Sequence, residues 1–185
     1  MQVIAMRIPA VKLIRPVRHG DDRGNFWEPY NRQRFFDAGI QEEFVQDNQS
    51  LSLLRGTVRG LHFQAPPHVQ AKLVWCITGA ILDVVLDVRR GAPTFGRHVA
   101  MRIKADGDQL FVPEGFAHGY CTLEPDTRIA YKVTDFYVPE SEGGVLWSDP
   151  ALRIEWPDFA SAGVSAKDAG LPRFGEFVSP FLYRE

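Results

Sequence analysis

A chain of 185 residues is long enough for one domain with a sizeable core, because roughly 70% of the unfolded surface is buried at that size. Hydrophobic residues make up 45% and charged residues 24%, which is an ordinary globular composition. The formal net charge of −2 provides no overall field that would recruit nucleic acid or an anionic membrane, so any cationic site must be local.

The N-terminal stretch MQVIAMRIPAVKLIRPV has no apolar core long enough for a signal peptide or a membrane span, which predicts a cytoplasmic protein. The string DDRGNFWE at 21–28 places Arg23 in a turn beside Phe26 and Trp27. Only 31–38 reads as helix, with Asn31 as its N-cap and Gly39 as the residue that stops it. QDNQS at 46–50 carries amides and a hydroxyl at strand-like spacing. Two extended runs follow, 57–64 and 71–78, broken at Ala65-Pro66-Pro67 because consecutive prolines cannot donate to a sheet ladder. The short break is expected to hold Arg59, His62 and Lys72 close together. An imidazole between two cations suits work on an anionic substrate. The alternative is three unrelated polar residues on an edge hairpin.

Residues 81–89 alternate with period two: Leu82, Val84, Leu86 and Val88 share one face, and Asp83, Asp87 and Arg89 share the other with Ile81 and Val85. Val99, Met101 and Ile103 repeat the pattern, as do Ile129, Tyr131 and Val133. Turn signals stand at 78–80, 90–93 and 105–108. Short strands at such intervals predict an all-β sandwich or barrel able to hold a small molecule. No βαβ rhythm, GxGxxG or GxxxxGK[ST] occurs, which argues against a Rossmann or P-loop protein. Cys76 and Cys121 lie in apolar runs without CxxC spacing and read as reduced core thiols. PEGFAHGY at 113–120 sets His118 in a glycine-rich turn that re-enters a strand, and YKVTDFY at 131–137 bears Tyr131 and Tyr137. From about Ser161 the pattern weakens, and Phe174, Phe177 and Phe181 are expected to serve simple packing, on the protein's own barrel or on a partner subunit. The chain reads as a single domain, 1–185, with a tail from about 177 to 185.

Three chemistries compete for these residues. Pro113-x-Gly115-x-x-His118 has the form of the second cupin motif, whose histidine binds metal. The His-x-His pair of the first motif reads His62-Phe63-Gln64 here, and the later glutamate is absent. Zinc or iron needs three good ligands, so no metal is expected. No GxSxG occurs, and neither cysteine has an electropositive neighbour in sequence, so nucleophilic catalysis is disfavoured. General acid–base chemistry fits: His62 as base, Asp168 as its orienting carboxylate, Tyr131 as acid, and Lys72 or His118 stabilising an oxyanion. Chain order does not by itself make them converge.

Taken in order, RGLHFQ at 59–64, Lys72-Leu73-Val74, DVRRGAPTFG at 87–96, PEGFAHGY, YKVTDFY, WSDP at 147–150, IEWP at 154–157 and VSAKDAGLP at 164–172 resemble the dTDP-4-dehydrorhamnose 3,5-epimerases. The earlier DDRGNFWEPYN and QDNQS resemble them too. The chain departs from the pattern at Trp27 and in GTVRG at 56–60. The resemblance implies a cupin-type jelly roll, or double-stranded β-helix, with short peripheral helices, a homodimer, and no cofactor. It implies epimerisation of dTDP-4-dehydro-6-deoxy-D-glucose at C3 and C5 in dTDP-L-rhamnose biosynthesis. Carried over by motif, His62 is the base, Asp168 its partner and Tyr131 the acid, with Lys72 and His118 also catalytic. Sugar-nucleotide contacts fall on Arg23, Phe26, Glu28, Gln46, Asn48, Arg59 and Tyr137. Alternatives are an epimerase acting on one carbon, a ketoisomerase on a related sugar, a metal-dependent cupin, or a cupin that binds without turnover.

Overall fold

The structure is a computed structural model that describes residues 1–105 and 107–184; Asp106 in the expected turn at 105–108 and Glu185 of the tail lie outside the described residues. Its strands pair antiparallel into two large sheets. One sheet has six strands in the order β1 (Gln2–Ala5), β2 (Lys12–Arg15), β10 (Gln109–Val112), β7 (Lys72–Thr78), β12 (Thr127–Val133), β5 (Gln46–Ser52). The other has five, in the order β13 (Glu142–Gly144), β6 (Val58–Gln64), β11 (Phe116–Thr122), β8 (Ala80–Asp87), β9 (His98–Lys104). A separate hairpin joins β3 (Arg18–Asp21) to β4 (Gly24–Trp27).

The period-two alternation explains how the sheets meet. Val74, Cys76 and Ile129 of the six-stranded sheet pack against Ile81, Val85, Phe116 and Tyr120 of the five-stranded sheet. Both outer faces are covered as well. Phe35 of α1 (Arg32–Asp37) and Ile40 lie over Ile14, Leu73 and Phe111. Val145, Leu152 and Phe181 lie over Leu61, Val84, Leu86 and Ala117. β8 is thus buried on both sides, and its carboxylates Asp83 and Asp87 are fully buried.

The expected helix forms, with the Asn31 side chain accepting from the Arg34 N–H at 3.2 Å and Gly39 at φ 80° ending it. The aromatic tail packs on the protein's own sheet, Phe63 meeting Phe181 edge-on at 5.3 Å and Phe177 at 5.6 Å. Two motif carboxylates are structural. Asp87 holds the Arg89 guanidinium at 2.7 Å and receives the Thr94 hydroxyl, and Asp149 accepts the backbone N–H groups of Ala151 and Phe174 at 2.9 and 2.7 Å.

Three expectations need correction. β6 and β7 belong to different sheets, so 65–71 crosses between sheets and the edge-hairpin alternative fails. His118 lies inside β11 rather than in a turn; the turn is earlier, at Gly115, whose φ is 79°. A second helix, α2 (Ala166–Ala169), follows the Ser165 cap, whose hydroxyl accepts from the Asp168 N–H at 3.0 Å. Four residues are too few to leave a helical period in a sequence.

Candidate active site

A cavity of about 560 Å³ is walled by both sheets. Arg59, His62, His118 and Tyr120 line it from the five-stranded sheet, and Ser50, Lys72 and Tyr131 from the six-stranded one. A recess of about 300 Å³ shares His62, Lys72 and Tyr131 with it and adds Gln46, Asn48, Tyr137 and Glu142.

A β-bulge makes this possible. His118 stands opposite His62 and Tyr120 opposite Arg59, so two steps along β11 match three along β6. In a regular strand, residues three apart point to opposite faces. The extra residue turns Arg59 and His62 toward the same cavity. Glycines allow it: a Cβ on Gly60, where φ is 118°, would sit 2.5 Å from the Gly119 Cα. On the opposite wall the alternation needs no correction. Tyr131 is in register with Val74 and Asn48, and Val133 with Lys72 and Gln46.

His62 Nε2 lies 2.7 Å from Asp168 Oδ1, and Asp168 Oδ2 accepts the Gly60 N–H at 3.2 Å. Burial by itself would raise the Asp168 carboxyl, but the bonds from His62, Gly60 and Ser165 bring it below its ordinary value. An ionised carboxylate only accepts hydrogen bonds, so His62 donates from Nε2, which leaves Nδ1 outside this bond. Lys72 is buried, and its Nζ donates to the His62 carbonyl at 3.3 Å. Burial pushes this ammonium down to about 8, against the pull of Asp83 and Glu142. Burial pushes the Tyr131 phenol up, partly offset by Arg59, so it is protonated at neutral pH. His118 Nε2 is 2.9 Å from Asp83 Oδ1.

The anticipated binding residues divide into two groups. Arg59 lines the cavity while its guanidinium donates to Ser52 Oγ at 3.2 Å and the Leu51 carbonyl at 3.3 Å. Gln46 donates to Asn48 Oδ1 at 2.8 Å within the recess. The Tyr137 hydroxyl donates to Glu142 Oε2 at 2.6 Å at its rim. Arg23, Phe26 and Glu28 are not brought there. Arg23 sits at the tip of the β3–β4 hairpin, paired with Asp21 at 2.5 Å. Phe26 is 68% exposed, and Glu28 pairs with Arg34 at 2.7 Å. Phe26 and Glu28 line a separate recess of about 190 Å³.

Sequence reasoning missed three charged groups: Asp83, Glu142 and Lys167. Lys167 pairs with Glu142 at 2.5 Å and lines the cavity. Glu142 follows Tyr137 by five residues in an irregular stretch, and no spacing singled it out. Gln64, at the position a cupin metal ligand would take, pins a loop: its side chain donates to the His68 and Phe136 carbonyls at 2.7 and 3.1 Å and accepts from the Val138 N–H at 2.7 Å. Among the described residues no group of three His, Cys, Asp or Glu side chains is arranged to hold a metal ion.

Comparison with known proteins reaches the same place. The family model described as dTDP-4-dehydrorhamnose 3,5-epimerase matches residues 5–176. The dTDP-4-dehydrorhamnose 3,5-epimerase of Sinorhizobium fredii is 47% identical over 181 residues, covering 97% of this chain and 92% of that protein. The Bacillus anthracis enzyme of that name, solved with TDP and PPi bound, is 45% identical with a TM-score of 0.89, covering 93% of this chain and 98% of that one. The dTDP-6-deoxy-D-glucose-3,5-epimerase of Legionella pneumophila, solved with dTDP-4-keto-L-rhamnose, is 38% identical with a TM-score of 0.93, covering 100% of this chain and 99% of that one. With the match running through nearly the whole chain in sequence and in fold, this protein belongs to the dTDP-4-dehydrorhamnose 3,5-epimerase family.

Proposed function

We propose that the protein converts dTDP-4-dehydro-6-deoxy-D-glucose to dTDP-4-dehydro-L-rhamnose by inverting C3 and C5, as a step of dTDP-L-rhamnose biosynthesis. The observation that carries this reading is the placement of His62 and Tyr131 on facing sheets across one cavity, with Lys72 on β7, the strand next to that of Tyr131. Inversion requires a proton to leave one face of the sugar ring and return to the other. A base and an acid on opposite walls supply that geometry.

The C4 ketone acidifies the protons on C3 and C5. Each is still about ten pKa units less acidic than imidazolium, a gap on the order of 14 kcal/mol. A positioned base contributes only about 10²–10⁴-fold, so the enolate must be stabilised as it forms. His62 Nδ1 takes the proton, and Asp168 supports the resulting imidazolium. Lys72 from one wall and His118 from the other face the charge growing on O4. The Tyr131 phenol then protonates the carbon from the other wall. Arg59 and Lys167 supply cations for the diphosphate, and Gln46, Asn48 and Tyr137 contact the nucleotide sugar. None of these steps calls for a cofactor, so turnover should be insensitive to chelators.

The facing antiparallel sheets support a cupin-type jelly roll, and the tail's packing supports one domain spanning 1–185. The hairpin residues Arg23, Phe26 and Glu28 lie away from the cavity yet match the family's substrate-binding segment. A homodimer in which the β3–β4 hairpin reaches the partner's cavity reconciles the two facts. Exposed Leu51, Leu53 and Leu54, on and just beyond the outermost strand β5, provide apolar surface for such a contact. Free buried Cys76 and Cys121 suit a reducing, cytoplasmic setting, and no described helix is long and apolar enough to cross a membrane.

The test is turnover of the dTDP-4-keto sugar in deuterium oxide, with the product read by NMR. Deuterium at both C3 and C5 of an L-configured product is expected. Label and inversion at a single carbon would replace this reading with the one-carbon epimerase.

A further inference from the structure

A second histidine–carboxylate pair stands at the cavity wall: the resemblance gave His118 a role, but neither it nor the sequence pattern assigned a carboxylate partner. His62 and His118 are ladder partners on β6 and β11, and each ring is bonded through Nε2 to a carboxylate, Asp168 at 2.7 Å and Asp83 at 2.9 Å. The two carboxylates differ. Asp168 lines the cavity and also receives a backbone N–H. Asp83 is fully buried between Ile81 and Val85, does not line the cavity, and leaves Oδ2 with no hydrogen-bond partner. A half-bonded carboxylate in an apolar layer is costly, and asparagine would hold the ring as well. The choice of a carboxylate over an amide therefore needs a reason. Lys72 provides one. Asp83 is the foremost group countering the burial that works against the Lys72 ammonium.

We propose that Asp83 is a positioning residue for the reaction: its buried carboxylate holds the His118 ring by Nε2, leaving Nδ1 for the substrate, and offsets the charge of the buried Lys72 that shares the cavity with His118. The proposal rests on the epimerase reading of the cavity. It explains how two facing walls can both present positive or donor groups to an enolate oxygen without an uncompensated buried cation. The charged and titratable groups around Lys72 come from every neighbouring element. Glu142 on β13 acts in the same sense as Asp83. His62 and Arg59 on β6, His118 and Tyr120 on β11, and Tyr131 on β12 share its cavity, with Asp168 and Lys167 of α2 beyond His62. Asp83 alone is both carboxylate and fully excluded from solvent, so its charge is the least screened.

The experiment is Asp83→Asn, which keeps an acceptor for His118 and deletes the charge. With the wild-type Lys72 midpoint at about 8, loss of the ammonium should turn off catalysis as pH rises through that value. In the variant, the alkaline limb of kcat should move down by about one pH unit or more, while KM for the dTDP sugar changes little. The Lys72 midpoint, followed without substrate by NMR of 13C-labelled lysine, should fall by the same amount. A kcat lowered equally at all pH values, with limb and midpoint unmoved, would reduce Asp83 to a structural pin and overturn the proposal. If the variant does not fold, 15N NMR of wild-type His118 decides: a protonated Nε2 at neutral pH supports the proposal, and an unprotonated Nε2 refutes it. Absence of wild-type turnover would count against the epimerase reading alone, because the Lys72 midpoint is read without substrate.

Discussion

At the scale of single residues, separate duties fall to groups that a rate measurement can distinguish. Lys72→Met should lower kcat roughly 10²–10³-fold, the usual loss when one oxyanion donor is removed. The same substitution should also destabilise the fold, because it leaves the buried Asp83 carboxylate without its nearby ammonium. Linkage gives a companion test. The Lys72 ammonium is at about 8 in the folded chain against an ordinary 10.5, so the unfolded chain holds the extra proton above about pH 8. Between about pH 8 and 9 wild-type stability should therefore have a more upward slope than that of Lys72→Met, in which Cys76 and Cys121, both raised by burial from an ordinary 9.0, act alone in the opposite sense. Denaturant melts across that interval check it. His62, Lys72 and Tyr131 were legible in the sequence because their motifs are distinctive. Asp83 was not: an aspartate on alternate positions of a strand reads as a solvated face, and only the second covering layer over β8 shows that both faces are buried.

At the scale of elements, the bulge between β6 and β11 is what aims the site. Gly60→Ala would place a Cβ against the Gly119 Cα and the His118 carbonyl, at a φ that other residues rarely adopt. It should cost about 1–3 kcal/mol of stability and reduce activity further by tilting His62 and Arg59 out of register. Equilibrium unfolding and kcat in the same preparation measure the two effects. Phe181→Ala, which removes a buried ring from the outer face of the five-stranded sheet, should cost about 3–5 kcal/mol with little change in KM. Strand positions and the single longer helix were readable from period and caps. The bulge was not, since nothing in RGLH distinguishes a residue pair on one face from a pair on two. The four-residue α2, which delivers Asp168, left only its Ser165 cap as a signal.

At the scale of the whole molecule, His62 and Tyr131 reach one cavity from two sheets, and the β3–β4 hairpin lies away from that cavity. If the hairpin serves a partner, mixing Arg23→Ala protein with His62→Ala protein, each poorly active, should regain about a quarter of wild-type activity per dimer by simple statistics of subunit exchange; light scattering should report a dimer. The facing of the two sheets was implied by alternation on many strands, but which strands meet across the cavity depended on pairing order, which alternation does not encode. The most direct measurement is to separate proton exchange from inversion in deuterium oxide. Tyr131→Phe should still exchange the C3 proton through His62 while losing inversion, and His62→Ala should do neither. Inversion at the wild-type rate in Tyr131→Phe, or exchange at the wild-type rate in His62→Ala, would contradict a base and an acid working from opposite walls.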